Sequence, residues 1–414
     1  MKQIKPWGWV PTLYFAEGIP YVLVMTVSVI MYKSMGLSNE AIAFYTSWLY
    51  LPWVIKPLWS PLVDLAKTKR WWITSMQLLI GGGLAAVALT LPTEWYFKGS
   101  LAVLFLLAFS SATHDIAADG FYMLGLKDDE QAFYSGIRST FYRIAMVVGQ
   151  GLMVWLAGMW SRSMGVHVAW SIVFIIAAGI FVALAGWHFF ALPKPTEDKN
   201  KSFSFSELGR LFLTFFTKKD IALIVSFILL FRLGEAQLGK ISQLFVMDSV
   251  EKGGLGLPIE QIGVIYGTIG VIALLAGGVI GGMLVARDGL KKWLWPFVAA
   301  MNVPNLVYVY FAYAQPQNLI LICSGVALEQ LGYGLGITAF MLYMIEVSKG
   351  EYKTAHYALC TGLMAAGMMI PGMWSGSLQE AVGYENFFLL VCVCTLPGFA
   401  LTALVKKQLA DKKS

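Results

Sequence analysis

Long apolar segments alternate with short polar ones along almost the whole chain. We read about twelve apolar spans, each long enough to cross a bilayer as a helix that rises about 1.5 Å per residue. The segments lack the strict alternation of apolar and polar positions that is typical of transmembrane strands. The pattern therefore predicts an all-α polytopic membrane protein. The predicted spans cover residues 7–32, 40–63, 71–91, 98–126, 134–160, 168–191, 219–247, 259–285, 293–313, 317–347, 355–378 and 385–405.

The composition supports this class of protein. Only 13% of the 414 residues are charged and 58% are hydrophobic, whereas soluble proteins average about 25% charged residues. The first apolar run has the length of a span and lacks a small-residue cleavage site, so we expect no cleaved signal peptide. The four cysteines all lie within predicted spans, and they indicate neither disulfides nor a metal site.

The basic residues collect on one side of the predicted membrane. When the loops are assigned to alternate sides, twenty-one Lys and Arg residues share the side of the N-terminus and four lie opposite. Cytoplasmic loops carry such an excess, so we expect an even number of spans and both termini in the cytoplasm. This asymmetry explains the net charge of +6 better than nucleic-acid binding does.

One long polar segment divides the spans six and six. We predict an N-terminal bundle at 1–192, a cytoplasmic linker at 193–218 and a C-terminal bundle at 219–414. The halves also resemble each other, because Lys69-Arg-Trp71 and Lys291-Lys-Trp293 are related by an offset of 222 residues. The apolar residues of the linker suggest a short interfacial helix; they are Phe203, Phe205, Leu208, Leu211 and Phe212.

The fourth span carries charged residues where lipid would surround a simple anchor. Asp115 and Asp119 are four residues apart, so they share one helix face. A carboxylate near the bilayer centre costs roughly 2.5–3.5 kcal/mol on insertion scales. Two acids on one face therefore suggest a proton or substrate site that faces a water-filled interior.

Two arginines on the next span come out at matching depths. Counting from the cytoplasmic ends places Arg143 level with Asp115, and Arg138 level with Asp119. We therefore predict the ion pairs Asp115–Arg143 and Asp119–Arg138. Such pairs either cement the two helices or serve function, and function is favoured because buried pairs stabilise a fold poorly compared with apolar packing.

Two more charged residues lie in the first two spans. Glu17 is followed by Gly18 and Pro20, which weaken the helix near its middle, and such a break commonly lines a site. A kink with a satisfied glutamate is the alternative. Lys56 is expected to pair with Glu17, to meet an anionic substrate or to snorkel to the cytoplasmic surface.

The second half has its own intramembrane polar residues. Arg232 and Glu235 lie about 60° apart on span 7, and Glu329 shares a face of span 10 with Tyr333. Each is a site candidate or part of a helix–helix hydrogen bond. Aromatic residues that are candidates for stacking on sugar rings are Trp7, Trp9, Tyr14, Tyr21, Tyr142 and Tyr333.

Three further polar residues are expected outside any site. Lys240 points away from the acid of its own helix and is placed near the outer surface. His356 lies within a turn of the cytoplasmic end, where a solvated role is expected. Glu346 is expected to pair with Lys349 or with a cation of a neighbouring loop.

The sequence offers little for an enzyme or a metalloprotein. A metal at His114-Asp115 with Asp119 is disfavoured, because only the two acids share a face and no third ligand is placed by spacing. The chain lacks a phosphate-binding loop, a nucleophile elbow and a zinc-helix motif. A membrane-embedded acyl or glycosyl transferase would need a His/Asp pair at an aqueous face, and a signalling receptor would need a sizeable soluble domain. We therefore predict no catalytic residue, no metal and no cofactor.

Several stretches of the chain carry a family resemblance. The chain resembles the AmpG-type anhydromuropeptide permeases, a branch of the major facilitator superfamily that includes relatives of the acetyl-CoA transporters. The stretches that carry it are Phe15-Ala-Glu-Gly-Ile-Pro20, Leu51-Pro-Trp-Val-Ile-Lys-Pro-Leu-Trp-Ser-Pro-Leu-Val-Asp64, Ser110-Ser-Ala-Thr-His-Asp-Ile-Ala-Ala-Asp119, Tyr142-Arg-Ile-Ala-Met146, Arg232-Leu-Gly-Glu-Ala236 and Leu328-Glu-Gln-Leu-Gly-Tyr-Gly-Leu-Gly-Ile-Thr-Ala-Phe340.

The resemblance implies a major facilitator fold of twelve helices in two six-helix bundles. It also implies proton-driven import of a disaccharide of N-acetylglucosamine and anhydro-N-acetylmuramic acid that bears a peptide, with the halves rocking in alternating access. Departures from the family pattern are Leu65 after Asp64, Gly120 after Asp119, and Glu235 where Asp is common; they bear on the substrate more than on the fold. The residues that fall on the family's intramembrane polar positions are Lys56, Asp115, Asp119, Arg143, Glu235 and Glu329.

The sequence thus predicts a secondary transporter in the bacterial inner membrane, driven by the proton gradient and acting as a monomer without nucleic acid. A siderophore, an acyl-CoA or a drug is the alternative cargo. The candidates for proton coupling are Glu17, Asp115, Asp119, Glu235 and Glu329. The candidates for substrate binding are Lys56, Tyr21, Arg143, Arg232 and Tyr333. Structural or gating roles are expected for Asp64, Arg70, Arg138 and Asp288.

Overall fold

The computed structural model describes residues 5–195, 198 and 205–411. Within those residues every regular element is a helix, which confirms the all-α prediction. In chain order the helices are α1 (Pro6–Ser34), α2 (39–66), α3 (Lys69–Thr90), α4 (Tyr96–Gly125), α5 (128–164), α6 (Val166–Ala191), α7 (Phe205–Phe216), α8 (Ile221–Met247), α9 (Ile259–Asp288), α10 (Leu290–Ala314), α11 (Leu319–Val347), α12 (353–382) and α13 (384–411).

Ten helical stretches of the described chain are long and apolar enough to cross a membrane. The last of them, Lys353–Leu409, covers two predicted spans, which Gly383 separates with a φ of 76° that helices do not use. The predicted second span is also helical, but prolines, Lys56 and several aromatic residues make α2 less apolar than the ten. These two differences account for the gap between ten stretches and twelve predicted spans.

Local sequence signals explain where several helices begin. The hydroxyl of Thr68 accepts a hydrogen bond from the Trp71 N–H and caps α3. The side chain of Asn318 caps α11 in the same way, by accepting bonds from two backbone N–H groups. These caps satisfy backbone donors that a helix start would otherwise leave without an intrahelical partner.

The chain folds into two compact units. The first unit comprises Met1–Met35 and Ile55–Phe203, and the second comprises Gly36–Val54 and Ser204–Ser414. The first half of α2 therefore belongs with the second unit, although it lies early in the sequence. In that unit a Cβ at Gly376 of α12 would lie 2.2 Å from the Asn39 carbonyl oxygen, so a glycine lets α12 contact the start of α2.

Each unit has its own apolar core. In the first, Trp9 and Phe121 meet edge to face with ring centroids 5.3 Å apart, joining α1 to α4. In the second, Phe231 of α8 stacks on Phe340 of α11 at 5.0 Å. Glycine lets the second unit pack closely, because a Cβ at Gly332 of α11 would lie 1.9 Å from the Ala300 carbonyl oxygen of α10.

The predicted helix in the linker is present as α7. Phe215 is fully buried in the core of the second unit, and Leu211 and Phe212 pack against that core. Thr214 lies 3.1 Å from the imidazole of His356, which joins α7 to α12. Phe203 lies outside the described residues, as do the side chains of Phe205 and Leu208.

Candidate functional site

Five charged residues gather inside the membrane-spanning part of the first unit. Three are acids and two are bases, and they come from α1, α2, α4 and α5. We call them the charge cluster; its members are Glu17, Lys56, Asp115, Asp119 and Arg138. All five were predicted as site, gating or pairing residues, and the fold brings them together.

The buried end of the charge cluster is an ion pair between α2 and α4. Lys56 Nζ lies 3.8 Å from Asp115 Oδ2, and the two side chains are 26% and 13% exposed. Lys56 therefore meets Asp115 rather than Glu17, and the predicted Asp115–Arg143 pair is wrong. A separation of 3.8 Å is beyond hydrogen-bond distance, so the ammonium keeps donors for a second partner.

The predicted Asp119–Arg138 pair is confirmed, and it forms the more exposed end of the charge cluster. Arg138 Nη2 lies 3.2 Å from Asp119 Oδ1, and the side chains are 35% and 46% exposed. The Tyr14 hydroxyl donates to the same carboxylate oxygen at 3.2 Å. The Arg138 guanidinium also lies over the Tyr14 ring, 4.7 Å from its centroid, and near the Tyr122 ring at 5.1 Å.

Glu17 stands apart from these two pairs. The charges of both aspartates and of both bases act on it, yet it forms no ion pair within the described residues. Its Oε2 atom is buried and accepts no hydrogen bond there. The helix around Glu17 is not broken as predicted, since α1 continues through Pro20 and only widens to a π turn at Leu23–Val27.

A second π segment, Val147–Met153, widens α5 where it meets α1. A Cβ at Gly149 would lie 2.3 Å from a methyl carbon of Val22, and one at Gly18 would lie 2.7 Å from the Tyr142 carbonyl oxygen. These glycines bring α1 and α5 into close contact and thereby fix Glu17 beside the residues of α5. π turns of this kind are frequent at functional sites.

Arg143 is a basic residue of the same region that forms no ion pair with a described acidic residue. It lies on α5, half-buried, and its Nε donates over 3.4 Å to Ser139, one turn back on the same helix. Within the described chain it forms no ion pair. Tyr21, another predicted substrate residue, lies on α1 close enough to interact with Tyr142, the neighbour of Arg143.

The second unit places its four predicted residues in two layers between α8 and α11. Arg232 Nη2 donates to the Tyr333 hydroxyl, and its guanidinium lies 5.3 Å from the centroid of that ring. One turn further along, Glu235 and Glu329 are buried and near enough for their charges to interact. The grouping of these residues follows the faces predicted from sequence.

Of the predicted structural or gating residues, Arg138 lies within α5, and Arg70 and Asp288 lie at helix ends. Arg70 donates from its Nη2 atom to the Phe189 carbonyl, which ties α3 to α6, and Asp198 accepts bonds from the backbone N–H groups of Lys69 and Arg70. Asp288 ends α9 and pairs with Lys292 at 3.2 Å. The side chain of Asp64 lies outside the described residues. The predicted Glu346–Lys349 pair is confirmed at 2.6 Å.

Two residues lie elsewhere than predicted. Lys240 is 5% exposed rather than at the outer surface, and its Nζ donates to the Thr46 hydroxyl at 2.9 Å, 5.4 Å from the Tyr50 ring. His356 is 4% exposed rather than solvated, because α7 covers it. Both errors arise from tertiary packing, since the covering segments are distant in sequence.

A buried polar chain in the first unit was not predicted. Gln77 of α3 lies between two imidazoles, with its amide nitrogen 3.0 Å from His114 Nε2 and its amide oxygen 2.9 Å from His188 Nδ1. His188 Nε2 lies 2.9 Å from the Thr12 hydroxyl. The chain crosses from α4 through α3 and α6 to α1 and is fully buried at both histidines. It fixes the face of α4 that carries His114.

The long apolar helices, with charged residues held inside them rather than at their ends, define a multi-pass membrane transporter. A family model described as Major Facilitator Superfamily matches residues 12–351. The chain therefore belongs to the Major Facilitator Superfamily.

Curated relatives agree with the resemblance seen in the sequence. The chain is 27% identical to the anhydromuropeptide permease of Escherichia coli strain K12 over 412 residues, covering 96% of this chain and 79% of that protein. It is 25% identical over 398 residues to the putative transporter AmpG 4 of Rickettsia conorii, covering 93% of each. The predicted similarity to AmpG-type permeases is thereby confirmed.

Solved structures confirm the fold. A bacterial homologue of the human lysosomal transporter Spinster, in an inward-facing and unoccupied conformation, superposes with a TM-score of 0.74 at 14% identity, covering 97% of this chain and 98% of that one. The nucleoside transporter NupG superposes with a TM-score of 0.70 at 14% identity, covering 95% and 98%. At such identities the likeness establishes the architecture and leaves the cargo open.

Proposed function

We propose that this transporter imports anhydromuropeptides into the bacterial cytoplasm together with protons, for the recycling of peptidoglycan. The relatives named above support the cargo, because one of them is an anhydromuropeptide permease. The bias of Lys and Arg toward one set of loops supports an inner-membrane location with both termini in the cytoplasm. We also propose that the transporter works by alternating access and acts as a monomer.

The observation that carries the proposal is that Arg143 lies inside a membrane span and forms no ion pair with the described residues. A guanidinium inside a membrane span costs several kcal/mol unless it is paired, and within the described residues Arg143 has only a long bond to Ser139. An anionic cargo supplies the missing partner. A peptide-bearing sugar ends in a carboxylate, which matches the planar fork of a guanidinium with two parallel hydrogen bonds.

Neighbouring residues suit the rest of such a cargo. Lys56 has only a 3.8 Å contact with Asp115, so its ammonium retains donors for a second carboxylate. Tyr21 and Tyr142 lie near each other beside Arg143, and aromatic rings of this kind provide flat apolar faces for sugar rings. The first unit thus offers cations and rings for a sugar that carries acidic groups.

Proton coupling is proposed because several intramembrane carboxyl groups form no ion pair with the described residues. Asp115 and Asp119 each face a base. Glu17, Glu235 and Glu329 form no ion pair within the described residues, and each has one buried oxygen without a hydrogen-bond donor there. Removing a carboxylate from water is costly, and a bound proton lowers that cost. Such a group can load and release a proton as it is exposed to either side.

Uptake into proteoliposomes tests the proposal. With an inward proton gradient, the purified protein is expected to accumulate a labelled disaccharide–tripeptide, and a protonophore is expected to abolish accumulation. Uptake that a protonophore leaves unchanged would refute symport. Competition by an unlabelled acyl-CoA or siderophore, with none by unlabelled muropeptide, would refute the cargo.

Variants of the same preparation test the site. Arg143→Ala and Asp115→Asn are expected to lose most uptake. Arg210→Gln, at an exposed position of α7, is the matched control and keeps it. Uptake that is intact in both variants would show that neither residue belongs to the transport site.

A further inference from the structure

The second unit contains two acids that face each other across a helix pair. Glu329 and Tyr333 are four residues apart on α11 and share one face of that helix. On α8, Arg232 is the cap residue and Glu235 lies in the first turn that follows it, so the two side chains lie at the same end of the resumed helix. Arg232 bonds to Tyr333 in one layer. In the adjacent layer Glu235 and Glu329 are both buried, and Glu235 lies within the field of Glu329. We call these two glutamates the carboxyl pair.

The carboxyl pair is almost completely removed from solvent. Glu235 is 6% exposed and Glu329 is 1% exposed. Neither forms an ion pair with the described residues, and Glu235 Oε2 and Glu329 Oε1 accept no hydrogen bond from them. Glu329 Oε2 accepts one bond, from Gln330 Nε2 at 2.9 Å. Two adjacent carboxylates with unsatisfied oxygens would be strongly unfavourable in this setting.

Within the described part of the chain, the groups around the carboxyl pair supply one positive charge. Arg232 is the base that acts on Glu235, and its guanidinium also bonds to Tyr333 from α11. From α9 and α10 Glu329 meets Tyr266 and Tyr308, whose hydroxyls lie 3.0 Å apart in the core, and Tyr308 is close enough to donate to the Glu329 carboxyl group. Both are phenols that carry no charge at neutral pH. One cation therefore faces two acids.

A break in α8 adds to this balance. The helix is interrupted at Arg232, whose φ of −106° and ψ of 21° are not helical, and it resumes at Leu233. Glu235 thus lies in the first turn of the resumed helix, where the partial positive charge of the N-terminus favours one negative charge. The first charge on the carboxyl pair is balanced, and a second charge is not.

We propose that the carboxyl pair holds a single proton between its two carboxyl groups and is the proton-binding site of this transporter. That this proton drives import rests on the function proposed above. The acids of the first unit are less suited, because Asp115 and Asp119 already have cations. Glu17 keeps part of its side chain exposed, and two bases, Lys56 and Arg138, act on it as well as the two aspartates, so a charge on Glu17 has cations near it.

The arrangement also indicates how proton binding affects the contact between α8 and α11. While the proton is bound, the single remaining charge faces Arg232, which can stay on Tyr333. When the proton leaves to water, the two carboxylates draw Arg232 toward the acid layer and away from α11. The Arg232–Tyr333 contact between α8 and α11 is therefore expected to weaken on deprotonation.

Infrared difference spectroscopy on the purified full-length protein, without substrate, tests the site itself. As pH is raised, the wild-type protein is expected to lose the carbonyl stretch of one protonated carboxyl. Both Glu235→Gln and Glu329→Gln are expected to lack that signal, because the remaining acid then carries the one charge that is balanced. Glu251→Gln, at an exposed position, is the matched control and retains it.

The outcomes separate a shared proton from the alternatives. A signal that is lost in only one of the two variants would show a single titrating acid and would overturn the pair. A signal that persists in both variants, or that Glu17→Gln removes, would place the proton elsewhere and also overturn it. Size-exclusion profiles like that of the wild type would show that the variants are folded.

Transport measurements test the coupling separately. In proteoliposomes each Gln variant is expected to lose gradient-driven accumulation, so that the inside-to-outside ratio falls to one. Exchange of labelled for unlabelled muropeptide across the membrane is expected to continue. Accumulation that is retained in both variants would overturn the coupling. If the wild type transports no muropeptide at all, the proposed function fails while the infrared result still decides whether the carboxyl pair binds a proton.

Discussion

Removing the charge of Lys56 is expected to destabilise the first unit by an amount that the geometry predicts. Lys56→Met keeps the aliphatic length of the side chain and removes the ammonium that lies 3.8 Å from Asp115. Two charges about 4 Å apart interact by about 4 kcal/mol at an effective dielectric constant of 20, and the pair lies at 3.8 Å. Because Lys56 is 26% exposed, solvent screening reduces this, and we expect a loss of about 2 kcal/mol.

A double-mutant cycle isolates the interaction. Asp115→Asn alone leaves Lys56 without its carboxylate and should cost a similar amount, whereas the double variant removes both charges. The double variant is therefore expected to be more stable than the sum of the single changes implies, by about 1–2 kcal/mol. Fluorescence-detected unfolding of the detergent-solubilised protein measures all four corners of the cycle.

The pair Asp288–Lys292 is the matched control. Its atoms are closer, at 3.2 Å, but Lys292 is 63% exposed, and exposed ion pairs add little to stability. Its cycle is expected to show no measurable coupling. If Lys56→Met leaves the unfolding temperature unchanged, or if the Asp288–Lys292 cycle shows equal coupling, then burial does not set the strength of the Lys56–Asp115 pair and the reasoning is wrong.

Three further changes test the packing around the site, each read by the unfolding temperature. Gly332→Ala is expected to cost several kcal/mol of stability, because the added methyl group would lie 1.9 Å from a carbonyl oxygen. In Gly282→Ala the methyl group points into open space, so this control should be nearly neutral. Equal effects of the two changes would contradict the packing. Gln77→Leu leaves two buried imidazoles without their partner and is expected to cost a few kcal/mol, so an unchanged protein would show that the polar chain is not formed. Tyr14→Phe loses one hydrogen bond to a half-exposed carboxylate and is expected to cost about 1 kcal/mol, with Tyr14→Leu costing more because the ring under a guanidinium is also lost.

The parts of the site that sequence reasoning predicted are those set by helix periodicity. Asp115 and Asp119 share a face because they are four residues apart, and the Asp119–Arg138 pair follows from depth alone. The polar faces of α8 and α11 follow in the same way. Periodicity places a side chain on a face and at a depth, and both quantities are local.

The parts that were missed depend on which helix lies opposite. Arg143 and Asp115 have matching depths in the membrane, but α2 places Lys56 beside Asp115 instead. No local feature of the sequence shows which of the two bases lies opposite Asp115. Lys240 was placed at the surface because the residues that cover it belong to the first half of α2, almost two hundred positions earlier in the chain. The chain from Thr12 to His114 through Gln77 and His188 joins four helices, so its members look unrelated in sequence.

Proline was a misleading signal in α1. Gly18 and Pro20 predicted a broken helix, yet the backbone passes through them as a helix and relaxes in the π turn that follows. Transmembrane helices tolerate such residues because neighbouring groups satisfy the freed carbonyls. In α8, by contrast, the helix is broken at Arg232, and Gly234 follows only two residues later.

The binding of a charged and a neutralised cargo to the purified protein tests the central claim most directly. The measurement compares a muropeptide with its C-terminal amide, on the wild type, on Arg143→Gln and on the exposed control Arg210→Gln. A hydrogen bond between charged groups contributes roughly 1.5–3 kcal/mol, so we expect the amide and the Arg143→Gln variant each to lose at least about tenfold in affinity. Combining the two changes should then cost little more than either alone, and Arg210→Gln should bind like the wild type. Losses that multiply in the combined measurement, or an Arg143→Gln variant that binds the acid as tightly as the wild type does, would contradict the claim that this arginine receives the carboxylate of the cargo.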